Sequence, residues 1–501
     1  MTLKQVLLGI LTLLAIAIMG GSLLSSVTQP QIQSRLELYQ TNLLLHATEW
    51  QPEADANNSL TALQTGITGK DGIKTALQQY EETQESTQTH FNQVQALPEL
   101  TTATELNKTQ NLLTEVTLKT GILQATQGEI NSAIENWNRI TTVDNSNIDS
   151  SAIKTAQVLT GLWKQPAKIL PDAESILNQN LDGWFRYQAL TQLYQLQERQ
   201  QALITLQIEE QAVAKQALTK LAIVSAIPGI GLILGTLLLL SLGVQWLLNR
   251  KESILARNNN NSWQVPWNWE ILLQVFLVGF FLVGQLVVPL LFSIAFQAFN
   301  LQPGSFTPRS QAIYVFITYL TLMLGGLSVL YFSIRSFFPL PEGWFQFNWG
   351  KNWFLWGLGG YLTALPLVIL VSLINQQIWD GQGGSNPILP IALENRDGIA
   401  LFIFFITASI AAPVFEEIFF RGFILPSLTR YLPVWGAVLL SSLIFAAAHL
   451  NISEVIPLMT LGIILGIVYT RSRNLLSSML LHGLWNSGTL LSLYILGSGT
   501  N

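Results

Sequence analysis

Long apolar segments constrain this fold more than any other feature of the sequence. After residue 215 eight of them follow one another, at 219–248, 270–297, 311–334, 353–376, 398–425, 434–450, 455–471 and 475–496. A hydrocarbon core about 30 Å thick is spanned by about 20 helical residues, so these segments predict membrane-spanning helices. With a ninth segment at residues 6–24, the chain is predicted to be an all-α, polytopic membrane protein.

The segment at 6–24 follows a single nearby lysine, Lys4. Its nineteen apolar or small residues exceed the usual signal-peptide core of about 7–15 residues. We therefore expect residues 1–29 to form an uncleaved signal anchor, with a cleaved signal peptide as the alternative.

Residues 30–215 differ sharply in composition, being rich in Gln, Thr, Asn, Glu and Leu, with apolar residues at helical spacing. Small residues recur 34 and 35 positions apart, at Ala133, Ala167 and Ala202, and Trp137 follows the first of them by four. This period is typical of tetratricopeptide (TPR) helical hairpins. The segment is thus predicted to be a soluble helical domain that binds a protein partner. It is either TPR-like or an ordinary helical bundle or coiled-coil-like stalk.

Charge and cysteine content exclude several classes of function. Residues 30–215 hold 21 Asp and Glu against 12 Lys and Arg, which argues against nucleic acid as a partner. The absence of cysteine removes disulfides, thiol nucleophiles and Cys-ligated metals. His46 and His90 stand in polar sequence and are predicted to be surface residues.

The distribution of Lys and Arg between the predicted loops indicates the orientation. With a cytoplasmic N-terminus, the inside loops hold Arg250, Lys251, Arg257, Arg335, Lys351, Arg421, Arg430, Arg471 and Arg473. The short outside loops then hold Arg309 and Arg396. By the positive-inside rule, residues 30–215 are predicted to be extracytoplasmic, in a periplasm or lumen.

An adjacent acid pair, Glu416 and Glu417, lies well inside an apolar segment. Ionisable groups at membrane depth are costly and usually functional. Glu417 and Arg421 are four residues apart, share a helix face and are predicted to form a structural ion pair. Glu416 points elsewhere at 100° per residue and becomes the candidate general base.

Three further polar residues complete the candidate site: His449, His482 and Asn486. His482 and Asn486 share a helix face, and both histidines stand at the ends of apolar segments. Together with Glu416, such groups can polarise a water, move its proton and bind an oxyanion. Alone, each has a simpler interpretation, since an acid pair can lie at the membrane interface and a single histidine can serve packing.

Three motifs carry a family resemblance: EEIFFR at 416–421, FAAAH at 445–449 and HGLWN at 482–486. In order, spacing and membrane context they resemble the CAAX-protease and bacteriocin-processing (CPBP, or Abi) family of intramembrane endopeptidases, which includes the Ras-converting prenyl-protein endoprotease. The resemblance covers residues 350–496. It implies that Glu416 and His449 activate the catalytic water, while His482 and Asn486 support the water and the oxyanion.

The resemblance also bears on cofactors. The family is often described as metal-dependent, but a glutamate-type mechanism without metal is the favoured hypothesis, and the Glu417–Arg421 pair remains structural. If zinc is present, Glu416, His449 and His482 would be its three ligands.

The predicted domains are thus an anchor (1–29), a helical domain (30–215), transmembrane helices (216–345) and a protease core (346–501). The expected function is hydrolysis of a peptide bond in a membrane-associated protein or peptide. The alternatives are a membrane scaffold or immunity-type protein with a vestigial site, and a transporter that uses Glu416 as a proton carrier.

Overall fold

The computed structural model describes residues 2–27, 33–52, 58–96, 103–142, 149–256, 258, 261–302, 306–350, 352–379, 383 and 397–497. Throughout these residues the regular structure is helical, without strands. The chain divides into two compact units. We call Gln29–Ala226 with Ile495–Asn501 the helical unit, and Met1–Thr28 with Ile227–Tyr494 the membrane unit. The boundaries at 29, 215 and 345 remain predictions.

Between Gln29 and Ala226 the described residues of the helical unit form eight complete helices and the first half of a ninth. They are α2 (Gln33–Thr48), α3 (Asn58–Thr68), α4 (Gly72–Ala96), α5 (Ala103–Thr126), α6 (Ile130–Thr142), α7 (Ser150–Trp163), α8 (Ala173–Asn180), α9 (Gly183–Leu196) and the first half of α10 (Gln200–Asn249). Consecutive helices from α4 to α9 pack against each other, as expected for short connections. Trp137 lies fully buried in their core and donates to the Leu118 carbonyl at 3.2 Å.

Two predictions about this unit need correction. Ala167 lies outside any helix and is exposed, because the chain after α7 is extended; the 34-residue spacing therefore does not mark equivalent positions there. His46 and His90 are buried rather than on the surface. The sequence around His46 does not reveal its burial, because Glu210, with which it pairs, lies 164 residues away along the chain. Whether the unit is TPR-like stays a prediction.

The membrane unit begins with α1 (Leu3–Ser26) and resumes within α10. It continues with α11 (Trp269–Ala298), α12 (Pro308–Ile334), α13 (Trp353–Trp379), α14 (Gly398–Leu428), α15 (Val434–Ala447), α16 (Val455–Ser472) and α17 (Leu475–Gly497). Side-chain caps define where three of these helices begin: α11 is capped by Asn268, α12 by Thr307 and α14 by Asp397. Proline occupies the first position of α12.

Seven helices of the described part of the chain are long and apolar enough to cross a membrane: those containing residues 3–26, 200–252, 269–298, 308–337, 353–379, 398–428 and 452–472. The polytopic, all-α fold class is thereby confirmed. Of the nine predicted spans, α15 is a shorter apolar helix, and α17 is not among the seven. The α17 sequence contains His482, Asn486 and several serines, which lower its hydrophobicity. This composition fits a helix that turns a polar face to a buried site.

The loop assignment of the basic residues is partly wrong. Arg421 and Arg471 are buried within helices, at 1% and 2% exposure, rather than in loops. The guanidinium of each arginine forms hydrogen bonds within the protein; that of Arg471, for example, donates to the Leu255 carbonyl at 2.6 Å. Arg257, Lys351 and Arg396 lie outside the described residues. Without Arg421 and Arg471 the predicted inside loops keep seven of their nine basic residues, and the orientation stays a prediction.

Close helix contact positions the part of the membrane unit that carries the acid pair. Gly326 of α12 approaches α11 so closely that a Cβ there would lie 2.9 Å from the Gly279 carbonyl and 3.0 Å from the ring of Phe415. Small residues allow such backbone approach between membrane helices. Phe415 of α14 is fully buried, and its ring stacks on that of Phe280 of α11. The three helices are thus held together directly beside Glu416.

Candidate active site

Helix α14 carries both acids, and its start is fixed electrostatically. The Asp397 carboxylate accepts hydrogen bonds from the backbone amides of Ile399 and Ala400 and from Arg309 Nε, the last at 2.5 Å. Desolvation alone would raise the pKa of Asp397, but the hydrogen bonds from Arg309 and the two amides hold it below its ordinary value. Asp397 is therefore a charged cap that ties α14 to the first turn of α12.

Glu417 is enclosed in an ion-pair network, although its Oε2, like that of Glu416, has no hydrogen-bond partner among the described residues. Its side chain is fully buried, and Oε1 accepts hydrogen bonds from Arg421 Nη1 and from His482 Nδ1, both at 2.9 Å. Arg421 also donates to the Gly462 carbonyl and lies 4.3 Å above the centre of the Phe445 ring. The predicted pairing of Glu417 with Arg421 is present in the structure, with His482 as an additional partner.

Glu416 lies in a different environment although it is the next residue. Its Oε1 accepts a hydrogen bond from the Tyr319 hydroxyl at 3.0 Å. Its Oε2 lies 3.9 Å from His482 Nε2 and has no hydrogen-bond partner among the described residues. The side chain is 16% exposed, against none for Glu417. Glu416 thus keeps one carboxylate oxygen for a ligand.

His482 links the two acids. When Nδ1 donates to Glu417, a neutral ring carries its lone pair on Nε2, on the side of Glu416. Because the carboxylate fixes both the tautomer and the ring plane, His482 is oriented for proton transfer on one side only.

His449 stands at the end of α15 and is half-buried. Its Nδ1 lies 2.9 Å from the Phe445 carbonyl, which can only accept, so Nδ1 is the donor and Nε2 is left for another group. The rings of His449 and His482 both meet the Phe445 ring edge-on, at 5.0 and 5.7 Å between centroids. Phe445 therefore separates and orients the two imidazoles.

Asn486 is placed one turn after His482 on α17. Its Nδ2 donates to the Ala408 carbonyl of α14 at 2.7 Å. That carbonyl lies in a π-helical turn over residues 407–411, where regular α-helical bonding is interrupted. Gly483 allows the close approach, since a Cβ there would lie 2.8 Å from the Ser409 carbonyl. One amide hydrogen of Asn486 is thus used to dock α17 on α14, and the other is left for a ligand.

The structure does not gather a ligand set for zinc. Among the described residues, no three His, Asp or Glu side chains are grouped as they would be around a metal ion, and Glu416, His449 and His482 are all within that part of the chain. The bond between His482 Nδ1 and Glu417 leaves His482 Nε2 on the side of Glu416. The metal-free mechanism and the zinc alternative both stay predictions, and no step through zinc is derived.

Sequence reasoning missed Tyr319 and the contact of His482 with Glu417. A tyrosine within an apolar segment is ordinary in membrane helices, so nothing in the sequence distinguishes Tyr319 from the other tyrosines. The contact of His482 could not be foreseen, because helical spacing relates residues within a helix and not between α14 and α17.

Comparisons with known proteins find similarity in the region that carries the site. Residues 398–488 match the family model described as "Type II CAAX prenyl endopeptidase Rce1-like". The chain is 31% identical over 137 residues to the "Membrane-embedded CAAX protease MroQ" of Staphylococcus aureus (strain USA300), covering 26% of this chain and 54% of that protein. The chain thus spans about half the length of this relative. No solved structure matches this chain.

Proposed function

Since the C-terminal part of this chain belongs to the CAAX-protease (CPBP) family, we propose that the protein is an intramembrane endopeptidase whose Glu416 activates a water molecule. The family supports a membrane protease, and the seven apolar helices support a multi-pass membrane protein. One observation carries the assignment of the base: Glu416 is 16% exposed and its Oε2 faces His482 Nε2 at 3.9 Å, whereas Glu417 is fully buried and paired with Arg421.

In the proposed mechanism Glu416 takes a proton from water as the water oxygen adds to the scissile carbonyl. The proton then passes to the leaving amine as the carbon–nitrogen bond breaks, so Glu416 acts first as base and then as acid. His449, with Nε2 as its acceptor, helps to hold the water. His482, whose Nε2 carries the lone pair, accepts a hydrogen bond on the side of Glu416 and so supports the water, while the remaining amide hydrogen of Asn486 stabilises the oxyanion as it forms.

The substrate proposed is a membrane-associated protein or peptide cleaved at or within the bilayer. Family resemblance alone does not require a prenylated substrate. The helical unit is proposed to bind a protein partner or to recruit substrate, and its acidic charge again argues against nucleic acid. A scaffold or immunity-type protein with a vestigial site is the second candidate, but a scaffold has no use for a partly exposed carboxylate that faces a histidine at membrane depth.

The function is tested by comparing the membrane peptidome of cells carrying the wild type with that of cells carrying Glu416→Ala. We expect a defined set of cleavage products to disappear with the variant while its substrates accumulate. Glu342→Ala, at an exposed acid of the same unit, serves as the control and should leave the products in place. Identical peptidomes for the wild type and Glu416→Ala would favour the scaffold.

We further propose that residues 30–215 are extracytoplasmic. The chain has no cysteine, so single engineered thiols report alone. Ser150→Cys and Ser262→Cys, both at exposed positions, are a matched pair. A membrane-impermeant thiol reagent should label the first in intact cells and the second only after permeabilisation. The reverse pattern would invert the topology and place the helical unit in the cytoplasm.

A further inference from the structure

Tyr319 is the one direct hydrogen-bond donor to Glu416 in the described part of the chain, and it lies outside residues 398–488, which match the family. It belongs to α12, and its hydroxyl donates to Glu416 Oε1 at 3.0 Å. The bond joins residues 97 positions apart in the sequence. The candidate base is therefore held by a helix that the family motifs do not include.

Three contacts fix α12 beside α14 and so determine where the Tyr319 hydroxyl lies. At the start of α12, Arg309 pairs with Asp397, the cap of α14. In its middle, the Tyr319 ring meets the Phe415 ring edge-on at 6.2 Å. About two turns further on, Gly326 lies against the Phe415 ring, since a Cβ there would be 3.0 Å from it. Because Phe415 precedes Glu416 directly, these contacts set the direction of the carboxylate as well.

The kind of donor matters as much as its position. Arg421 beside Glu417 supplies a full positive charge and is itself buried. A tyrosine hydroxyl supplies one hydrogen bond to one oxygen and leaves the carboxylate charge in place. A base needs that charge, and it needs a free oxygen directed at the proton it removes. Tyr319 meets both conditions by occupying Oε1 and leaving Oε2 on the side of His482.

We propose that Tyr319 is a positioning residue for Glu416, which fixes the carboxylate so that Oε2 faces the reacting water. The inference rests on the proposed endopeptidase function. It also implies that the family-matched residues 398–488 do not form a complete active site in this chain, because α12 supplies part of it.

The first test measures turnover by the variant Tyr319→Phe. This substitution keeps the ring against Phe415 and removes only the hydroxyl. Wild type and variant are reconstituted in lipid vesicles with a fluorogenic version of a peptide identified by the peptidome comparison. We expect kcat to fall by about 10- to 100-fold, the effect of losing one hydrogen bond to a charged group, with KM and thermal stability unchanged. Tyr331→Phe, at a largely exposed position on the same helix, should retain full activity.

A spectroscopic measurement provides the second test and does not depend on a substrate. The infrared carboxylate band of Glu416 is identified as the band lost in Glu416→Gln. It should shift in Tyr319→Phe and stay in place in Tyr331→Phe. An unshifted band, an unchanged kcat, or an equal fall of kcat in both variants would overturn the positioning role. A wild type that cleaves no peptide would instead overturn the proposed function, whatever the band shows.

Discussion

Each unit of this protein buries a histidine against a glutamate, and the two pairs differ in what surrounds them. In the helical unit, His46 Nδ1 lies 2.6 Å from Glu210 Oε1, with both side chains about 95% buried. In the membrane unit, His482 Nδ1 lies 2.9 Å from the fully buried Glu417. By distance and burial alone the two pairs are alike.

The neighbouring acid separates them. Near the first pair, Glu49 accepts hydrogen bonds from Trp184 Nε1 and Gln188 Nε2 at 2.9 and 2.8 Å, and neither of its oxygens is buried without a partner. Beside the second pair, Glu416 keeps a buried Oε2 without a partner among the described residues. A buried His–Glu pair therefore does not mark a reactive site by itself. The better indicator is the neighbouring Glu416, which is 16% exposed and faces the histidine, because the paired Glu417 also has an Oε2 without a partner among the described residues.

The largest structural effect is expected from Glu417→Gln. The substitution leaves the Arg421 guanidinium, only 1% exposed, without its counter-charge. Removing one partner of a buried pair typically costs about 3–5 kcal/mol, so the folded yield and the thermal stability in detergent should both fall. Size-exclusion chromatography and thermal unfolding of the purified variant measure this.

Glu342→Gln is the control for that variant, since it neutralises an exposed acid of the same unit and should behave as the wild type. If Glu417→Gln folded as well as Glu342→Gln, the structural role of the pair would be wrong. The contrast between the enclosed acid and its reactive neighbour would then disappear.

A smaller, pH-dependent effect is expected from Glu49→Gln in the helical unit. Burial raises the pKa of Glu49 above its ordinary value, although the hydrogen bonds from Trp184 and Gln188 act in the opposite direction. A group with a raised folded-state pKa contributes stability at low pH that is lost as the pH rises through that pKa. The variant should therefore gain in stability relative to the wild type as the pH rises from about 4 towards 7.

Intrinsic tryptophan fluorescence during thermal unfolding, recorded for both proteins across that pH range, measures the difference. Glu135→Gln provides the baseline, since that side chain is 70% exposed on the same unit. A difference between Glu49→Gln and the wild type that is constant with pH, or that favours the variant at low pH, would show that burial of Glu49 does not govern its titration.

Helical periodicity was sufficient to predict the fold class, because spans of about 20 apolar residues leave few alternatives in a bilayer. It was also sufficient to pair Glu417 with Arg421, since four residues along a helix define one face. Where an interaction crosses between helices the sequence carries no such rule. The bonds from Tyr319 to Glu416 and from Asn486 to Ala408 were therefore not foreseen.

The histidines show the same limit of prediction from sequence. The polar sequence neighbours of His46 predict a surface position, yet α2 and α10 enclose it with Glu210. Polar helices that pack against each other can bury a charged pair that no local pattern reveals. His482 was identified because a histidine within an apolar segment is conspicuous, although its principal partner proved to be Glu417 rather than Glu416.

The difference between the two adjacent acids is tested most directly by Glu416→Gln. The purified variant is compared with the wild type for hydrolysis of the identified peptide, per amount of folded protein, and for thermal stability. Loss of a general base is expected to lower kcat by about 10²–10⁴-fold, while the folded yield and stability stay near those of the wild type. Retained hydrolysis by Glu416→Gln, or an unstable Glu416→Gln beside a silent Glu417→Gln, would contradict the assignment of Glu416 as the base.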